Sequence, residues 1–374
     1  MDLQESNRLF SLELSRVIIE DAKFVCTSVE KQIFVKRLED DFEKQCVTCV
    51  TVDDALVMSN DQSLIDDLLD ALARRFGPLT INKVCTVHTG LELTRYPNGA
   101  LLVTQDRAIA RAASVVGVLH LPSVSVPVAL DFFHLSGDSL LSVSVDATVY
   151  SSLTGKLVQF LKTRHEIRQF ISYLCSFNSA PLECHYRQAI HILRYLVSTP
   201  GMGCVFQYSG PVVIVASSDS ACGIFPDGRS SSAHIISVGS DNAPFICSGK
   251  AQDPVATCPM TAEYYAAGSS CSDIVHYRQL AADLGWPQVE PTVLCLDNKT
   301  ALALAVAPEV SKKSRHIFIK YHNIRWLVLI KVISLRYVFT KNMRANVLTK
   351  ALSRTMFLLE RDVLFNRSVI AEYM

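Results

Sequence analysis

Val212-Val213-Ile214-Val215-Ala216-Ser217-Ser218-Asp219 is an apolar run that closes on small polar residues and a carboxylate. Its length and β-branched content suit a buried strand. Working outward, a second run, Val293-Leu294-Cys295-Leu296, also closes on an acid, Asp297, and Asn298 then begins a helix. Between the two, Thr261-Ala262-Glu263-Tyr264-Tyr265-Ala266-Ala267 opens a helical segment. Two strand ends and one helix start aim Asp219, Glu263 and Asp297 at one point, a cluster able to hold two magnesium ions. Asn346 stands where such a site wants one more carboxylate.

The surrounding pattern predicts an α/β unit with a mixed sheet flanked by helices. Strands are expected at 211–218, 233–238, 244–248, 291–296 and 332–339. Helices are expected at 261–284, 298–306, 319–330 and 342–352, with a basic loop at 308–316. Upstream, 8–22 reads as an amphipathic helix, 32–37 and 46–52 as strands, and 61–76 as a helix. Asp53-Asp54 forms an acidic turn between Cys49-Val50-Thr51-Val52 and Ala55-Leu56-Val57-Met58, a hairpin with paired carboxylates at its tip. A second hairpin joins 91–95 to 100–103 through Asn98-Gly99. Two helices, 150–178 and 182–198, end near Pro200-Gly201.

Composition narrows the function classes. The chain has 374 residues, 49% hydrophobic and 19% charged, enough to bury real cores. Its formal net charge is zero, but from residue 211 onward 17 Lys and Arg face 13 Asp and Glu. Residues 300–350 hold ten basic residues and one acid, Glu309. That stretch suits phosphate backbones, or forms a solvated face. The polar start, Met1-Asp2-Leu3-Gln4-Glu5-Ser6, lacks the features of a signal peptide. The twelve cysteines are therefore expected reduced, in an intracellular protein of cytoplasm or nucleus that is not secreted. Cys46 and Cys49 form the one CxxC, without a partner pair at zinc spacing, and read as buried strand. Residues 112–130 carry no charge, but Pro122 and Pro127 interrupt them, so no membrane span is expected.

The carboxyl half resembles the ribonuclease H domain of copia-type LTR retrotransposon polyproteins. The resemblance rests on Ser218-Asp219-Ser220, Asp227-Gly228-Arg229-Ser230-Ser231-Ser232, Thr261-Ala262-Glu263-Tyr264 and Leu296-Asp297-Asn298-Lys299-Thr300-Ala301-Leu302. It continues through Arg315-His316-Ile317, Lys320-Tyr321-His322 and Val347-Leu348-Thr349-Lys350-Ala351-Leu352. The family's first three metal-binding acids fall on Asp219, Glu263 and Asp297, and its fourth, an Asp, falls on Asn346. Phe318 is a further departure, where the family has Asp. Upstream, Tyr150-Ser151-Ser152-Leu153-Thr154-Gly155 and Arg194-Tyr195-Leu196 resemble the connection segment. Val52-Asp53-Asp54 looks like the reverse transcriptase active-site hairpin, with Thr51 in place of an aromatic, and Gly90-Leu91-Glu92-Leu93 resembles the hairpin after it.

The resemblance implies a truncated reverse transcriptase palm and thumb at 1–118, a linker at 119–148 and a helical connection at 149–210. A ribonuclease H-like domain at 211–355 and a tail at 356–374 complete it. It implies Mg²⁺ or Mn²⁺ as cofactor, with Asp219, Glu263, Asp297 and Asn346 as ligands and Asp53 and Asp54 as orphaned ones. An RNA–DNA hybrid, or other nucleic acid, would be gripped by Lys312, Lys313, Arg315, Lys320 and Arg325. The missing upstream part of the polyprotein is a further partner. Polymerisation by this chain is not expected, because fingers and an earlier palm carboxylate are not encoded ahead of Met1. Two readings follow for the carboxyl half: a hybrid-cutting ribonuclease, or a decayed retroelement remnant that binds nucleic acid without cutting it.

Overall fold

The protein is described by a computed structural model over residues 3–38, 41, 43–134, 143–207, 210–240, 242–307 and 322–373. It divides into two units, Met1–Thr89 with Val275–Val289, and Gly90–Ile274 with Glu290–Met374.

In the first unit, helix α1 (Leu3–Arg16) runs into a π turn, Val17–Asp21. Strands β1 (Val25–Cys26), β2 (Ile33–Arg37), β3 (Gln45–Thr51) and β4 (Asp54–Ser59) follow, then α2 (Gln62–Phe76) and a short strand β5 (Val87–His88). β1 to β4 form an antiparallel sheet in sequence order. Side chains alternate across a strand, so Cys46, Thr48 and Val50 of β3 all turn inward. Phe34, Cys46 and Val50 share a core with Leu64, Leu68 and Leu72 of α2 and with Leu14, Val17 and Ile18. Helix α2 begins where the Asp61 carboxylate accepts from the Ser63 backbone N–H at 2.9 Å, and ends at Gly77, φ +86°.

The second unit opens with β6 (Leu91–Arg95), β7 (Leu101–Thr104) and α3 (Asp106–Val116). Helices α4 (Ala147–Phe160), α5 (Arg168–Cys175) and α6 (Glu183–Val197) follow, and β8 (Cys204–Phe206) pairs antiparallel with β7. The helix expected at 150–178 breaks between Leu161 and Ile167. There Arg164 and Glu166, both fully buried, pair at 2.8 Å, and Tyr195 Oη donates to the same Glu166 oxygen at 3.0 Å. Seating that charged pair in the interior bends the chain out of one helix.

The main sheet of this unit comprises β9 (Ile214–Ala221), β10 (Ser231–Val238), β11 (Ile246–Ala251), β12 (Thr292–Leu296) and β13 (Ile333–Tyr337). Its order is β11-β10-β9-β12-β13. The first three are antiparallel neighbours, whereas β12 runs parallel to β9 and β13 parallel to β12. The connections after β11 and β12 are helical: α7 (Pro259–Asp283), then α8 (Lys299–Val306) and α9 (Asn323–Leu329). This is the mixed α/β architecture expected. One core joins Leu157, Phe170, Ile171, Leu193 and Tyr195 of the upstream helices to Ala233 and Ile235 of β10 and to Val347 and Leu348.

The segment after β13 departs from expectation. No helix spans 342–352. Two single 3₁₀ turns, Thr340–Asn342 and Asn346–Leu348, lie there, and the next α-helix is α10 (Arg354–Leu364), followed by a 3₁₀ helix, Arg367–Tyr373. The sheet captures the backbone that a helix would use: Ser231 Oγ donates to the Thr349 carbonyl at 2.7 Å. No helix among the described residues is long and apolar enough to cross a membrane.

Candidate metal centre

Parallel pairing of β9 with β12 aligns Cys295 with Ser217. Continued by two residues, that register sets Asp297, just past the end of β12, beside Asp219, which lies inside β9 near its carboxyl end because the strand runs on to Ala221 rather than stopping at 218. Open α/β sheets place ligands at such ends. Glu263 comes from the first turns of α7. One carboxylate oxygen from each of Asp219, Glu263 and Asp297 lies within 4.8 Å of the others. The sheet and the helix start therefore bring together the three acids singled out in the sequence.

Each carboxylate is held by a hydroxyl. Thr349 Oγ1 donates to Asp219 Oδ2 at 2.8 Å, and Thr340 Oγ1 donates to Asp297 Oδ2 at 2.7 Å. Glu263 Oε1 accepts from Ser220 Oγ at 2.8 Å and from the Ser220 N–H at 3.1 Å. Asp219 is 2% exposed and Glu263 6%. Burial holds the Asp219 carboxyl well above the usual range, with the Asp297 charge adding to the shift. Burial, then the Asp219 charge, raises Glu263 likewise. Glu263 Oε2 has no hydrogen-bond partner among the described residues. Buried acids gathered in this way relieve their repulsion by binding a proton or a cation. An all-oxygen donor set with one oxygen unclaimed fits a hard divalent cation such as Mg²⁺ or Mn²⁺.

Asn346 is buried. Its Nδ2 donates to both oxygens of Glu360, at 2.8 and 3.0 Å, and its Oδ1 has no partner among the described residues. Sequence reasoning missed Glu360 because its helix lies in the stretch read as a tail. It missed Thr340 because hydroxyls are common, and Ser220 and Thr349 stood inside quoted motifs without a role assigned to them. Burial raises the Glu360 carboxyl pKa, and the Asn346 hydrogen bond and the Lys350 ammonium oppose that shift.

Asp53 and Asp54 lie exposed at the β3–β4 turn of the first unit. Among the described residues, no His, Cys, Asp or Glu completes a metal-sized group with them. Arg325 is half-buried and donates to the Ala307 carbonyl. Lys312, Lys313, Arg315, Lys320, His316 and Phe318 lie outside the described residues. His322 Nδ1 is 2.9 Å from Tyr264 Oη, and burial lowers its pKa.

The second unit thus belongs to a general class, mixed α/β domains that converge carboxylates at parallel strand ends. No family model matches the chain. The chain is similar to the retrovirus-related Pol polyprotein from transposon RE1 of Arabidopsis thaliana, 31% identical over 313 residues, 82% of this chain. It is 29% identical over 314 residues to that from transposon RE2 of the same plant. It is 25% identical over 325 residues to that from transposon TNT 1-94 of Nicotiana tabacum. The chain belongs with these retrotransposon Pol polyproteins, as the copia-type motifs imply. It spans about a fifth of the length of the curated relatives it matches, 21% for RE1 and RE2. A solved structure of the N-terminal RNase H domain of a Mycobacterium tuberculosis protein, fused to maltose-binding protein, matches 40% of this chain and 96% of its own. Its TM-score is 0.27 and its identity 14%.

Proposed function

We propose that the carboxyl-terminal region, about residues 211–355, is a ribonuclease H-like domain that hydrolyses the RNA strand of RNA–DNA hybrids with Mg²⁺ or Mn²⁺. The observation that carries this reading is the grouping of Asp219, Glu263 and Asp297 oxygens within 4.8 Å, on two parallel strand ends and a helix start. The kinship with Pol polyproteins supports it. In this reading the three carboxylates hold the cations, with Asn346 as a fourth, uncharged ligand. Bound divalent cations would supply an activated water and charge stabilisation of the leaving oxygen. Ser220, Thr340 and Thr349 orient the carboxylates, and burial of Asp219 and Glu263 keeps bulk water from competing for them. The hybrid is recognised by backbone and shape, through Lys312, Lys313, Arg315, Lys320 and Arg325.

The remaining boundaries are proposed with it: a reverse transcriptase palm and thumb at 1–118, a linker at 119–148, a helical connection at 149–210 and a tail at 356–374. Asp53 and Asp54 are the relic of the polymerase metal site. The protein acts inside the cell. Asn346 favours a second reading, a remnant that binds nucleic acid without cutting it. A labelled RNA–DNA hybrid incubated with the full chain and Mg²⁺ separates the two. Cleavage of the RNA strand, lost on chelation and in Asp297→Asn, supports the hydrolase. Salt-dependent hybrid binding with no Mg²⁺-dependent cleavage supports the remnant.

A further inference from the structure

Three carboxylates bring three negative charges to a centre that, as proposed above, holds two divalent cations. The residue beside it, Asn346, is neutral yet only 6% exposed. Its amide orientation is set by chemistry. An ionised carboxylate only accepts hydrogen bonds, so the Nδ2 group must face Glu360, whose two oxygens it contacts at 2.8 and 3.0 Å. Oδ1 is thereby turned away from Glu360, and it is buried without a partner among the described residues. Buried acceptors are ordinarily paired, so an unclaimed one is open to a ligand.

The path from Asn346 to the cluster is short. The Thr349 hydroxyl lies 2.9 Å from the Asn346 backbone carbonyl oxygen and 2.8 Å from Asp219 Oδ2. A carboxylate bonded behind a metal ligand raises that ligand's basicity and fixes its orientation. We infer that Glu360, acting through the Asn346 amide, supplies the negative charge the three-carboxylate centre lacks, so that Asn346 Oδ1 serves as an oxygen ligand to the second cation. Glu360 is then a positioning residue, and the Asn346–Glu360 pair together does the work of one carboxylate.

This inference rests on the two-cation reading and makes a distinct demand of it. Asn346→Asp alone places a carboxylate against Glu360, where like charges cannot both ionise without penalty. That variant gains little. Asn346→Asp combined with Glu360→Gln removes the conflict and binds the second ion at least as well as the wild type.

The test is titration of the full chain with Mn²⁺, followed by calorimetry and by electron paramagnetic resonance of paired ions. The wild type is expected to take two ions. Glu360→Gln should weaken the looser ion about 10- to 100-fold and spare the tighter one, and adding Asn346→Asp should restore it. A purely structural role for Glu360 would not give that rescue. Equal affinities in wild type and Glu360→Gln, or a double variant no better than Glu360→Gln, overturns the inference while leaving the metal site standing. A wild type that binds one ion does the same. A wild type that binds none overturns the two-cation reading and this inference with it. Circular dichroism checks folding, and Glu360→Leu replaces Glu360→Gln if the latter does not fold.

Discussion

Thr349 Oγ1 donates a 2.8 Å hydrogen bond to Asp219 Oδ2, joining residues 130 apart in sequence. The bond ties the turn after β13 to the central strand of the sheet. The same turn is anchored by Ser231 Oγ, which donates to the Thr349 carbonyl. One threonine thus couples the position of Asn346 to the orientation of the most buried acid of the centre.

Thr349→Val keeps the shape of this side chain and deletes the donor. A hydrogen bond to a charged group contributes about 1.5–3 kcal/mol, so Mn²⁺ affinity should fall by at least about tenfold. Thr349→Ser should stay near wild type. Calorimetric titration of the three proteins checks the ordering, and equal affinities would refute the orienting role of Thr349.

The buried acids predict an unusual pH profile in metal-free buffer. Asp219 and Glu263 are raised from ordinary values of 3.8 and 4.5. Above those values the unfolded chain sheds protons that the folded chain retains. Stability contributed by the protonated acids is therefore complete below about pH 4 and declines as pH rises toward about 8. Asp219→Asn should show a shallower loss of melting temperature over this window than wild type. Added Mg²⁺ should flatten the wild-type curve by replacing the protons. Parallel curves for the two proteins would contradict the assignment.

Glu166→Ala should unfold the second unit at markedly lower denaturant. It leaves the fully buried Arg164 without its 2.8 Å partner, a loss of about 3–5 kcal/mol. The double change Arg164→Met, Glu166→Leu should cost much less, because no unpaired charge remains. Chemical denaturation of the two variants decides this.

Val52 opens the β3–β4 turn with φ +58°, in the left-handed region that β-branched residues avoid, and its side chain is exposed. Val52→Gly should release this strain and stabilise the first unit by about 1 kcal/mol. A midpoint unchanged or lowered in denaturant would show that the turn carries no such strain.

The apolar runs before Asp219 and Asp297 announced β9 and β12, because buried parallel strands are written as continuous hydrophobic stretches. Glu263 was legible from the helical segment that begins around it. The stretch 342–352 misled, since Val347, Leu348, Ala351 and Leu352 sit at helical spacing. Their burial is in turns pinned to the sheet, and the true helix, α10, begins at Arg354. The break at Arg164 was equally hidden, because an ion pair inside a core leaves no periodic trace.

Local pattern alone determined which acids stand at strand ends and a helix start, because strand and helix periodicities are properties of a few consecutive residues. What Asn346 and Thr349 touch was decided only by tertiary structure. Glu360 meets Asn346 only because the turn at 346–349 is held to the sheet and α10 folds back over it. Thr349 meets Asp219 only because that turn lies against the end of β9. Such pairings are fixed by packing of distant segments around one core, which no spacing along the chain records.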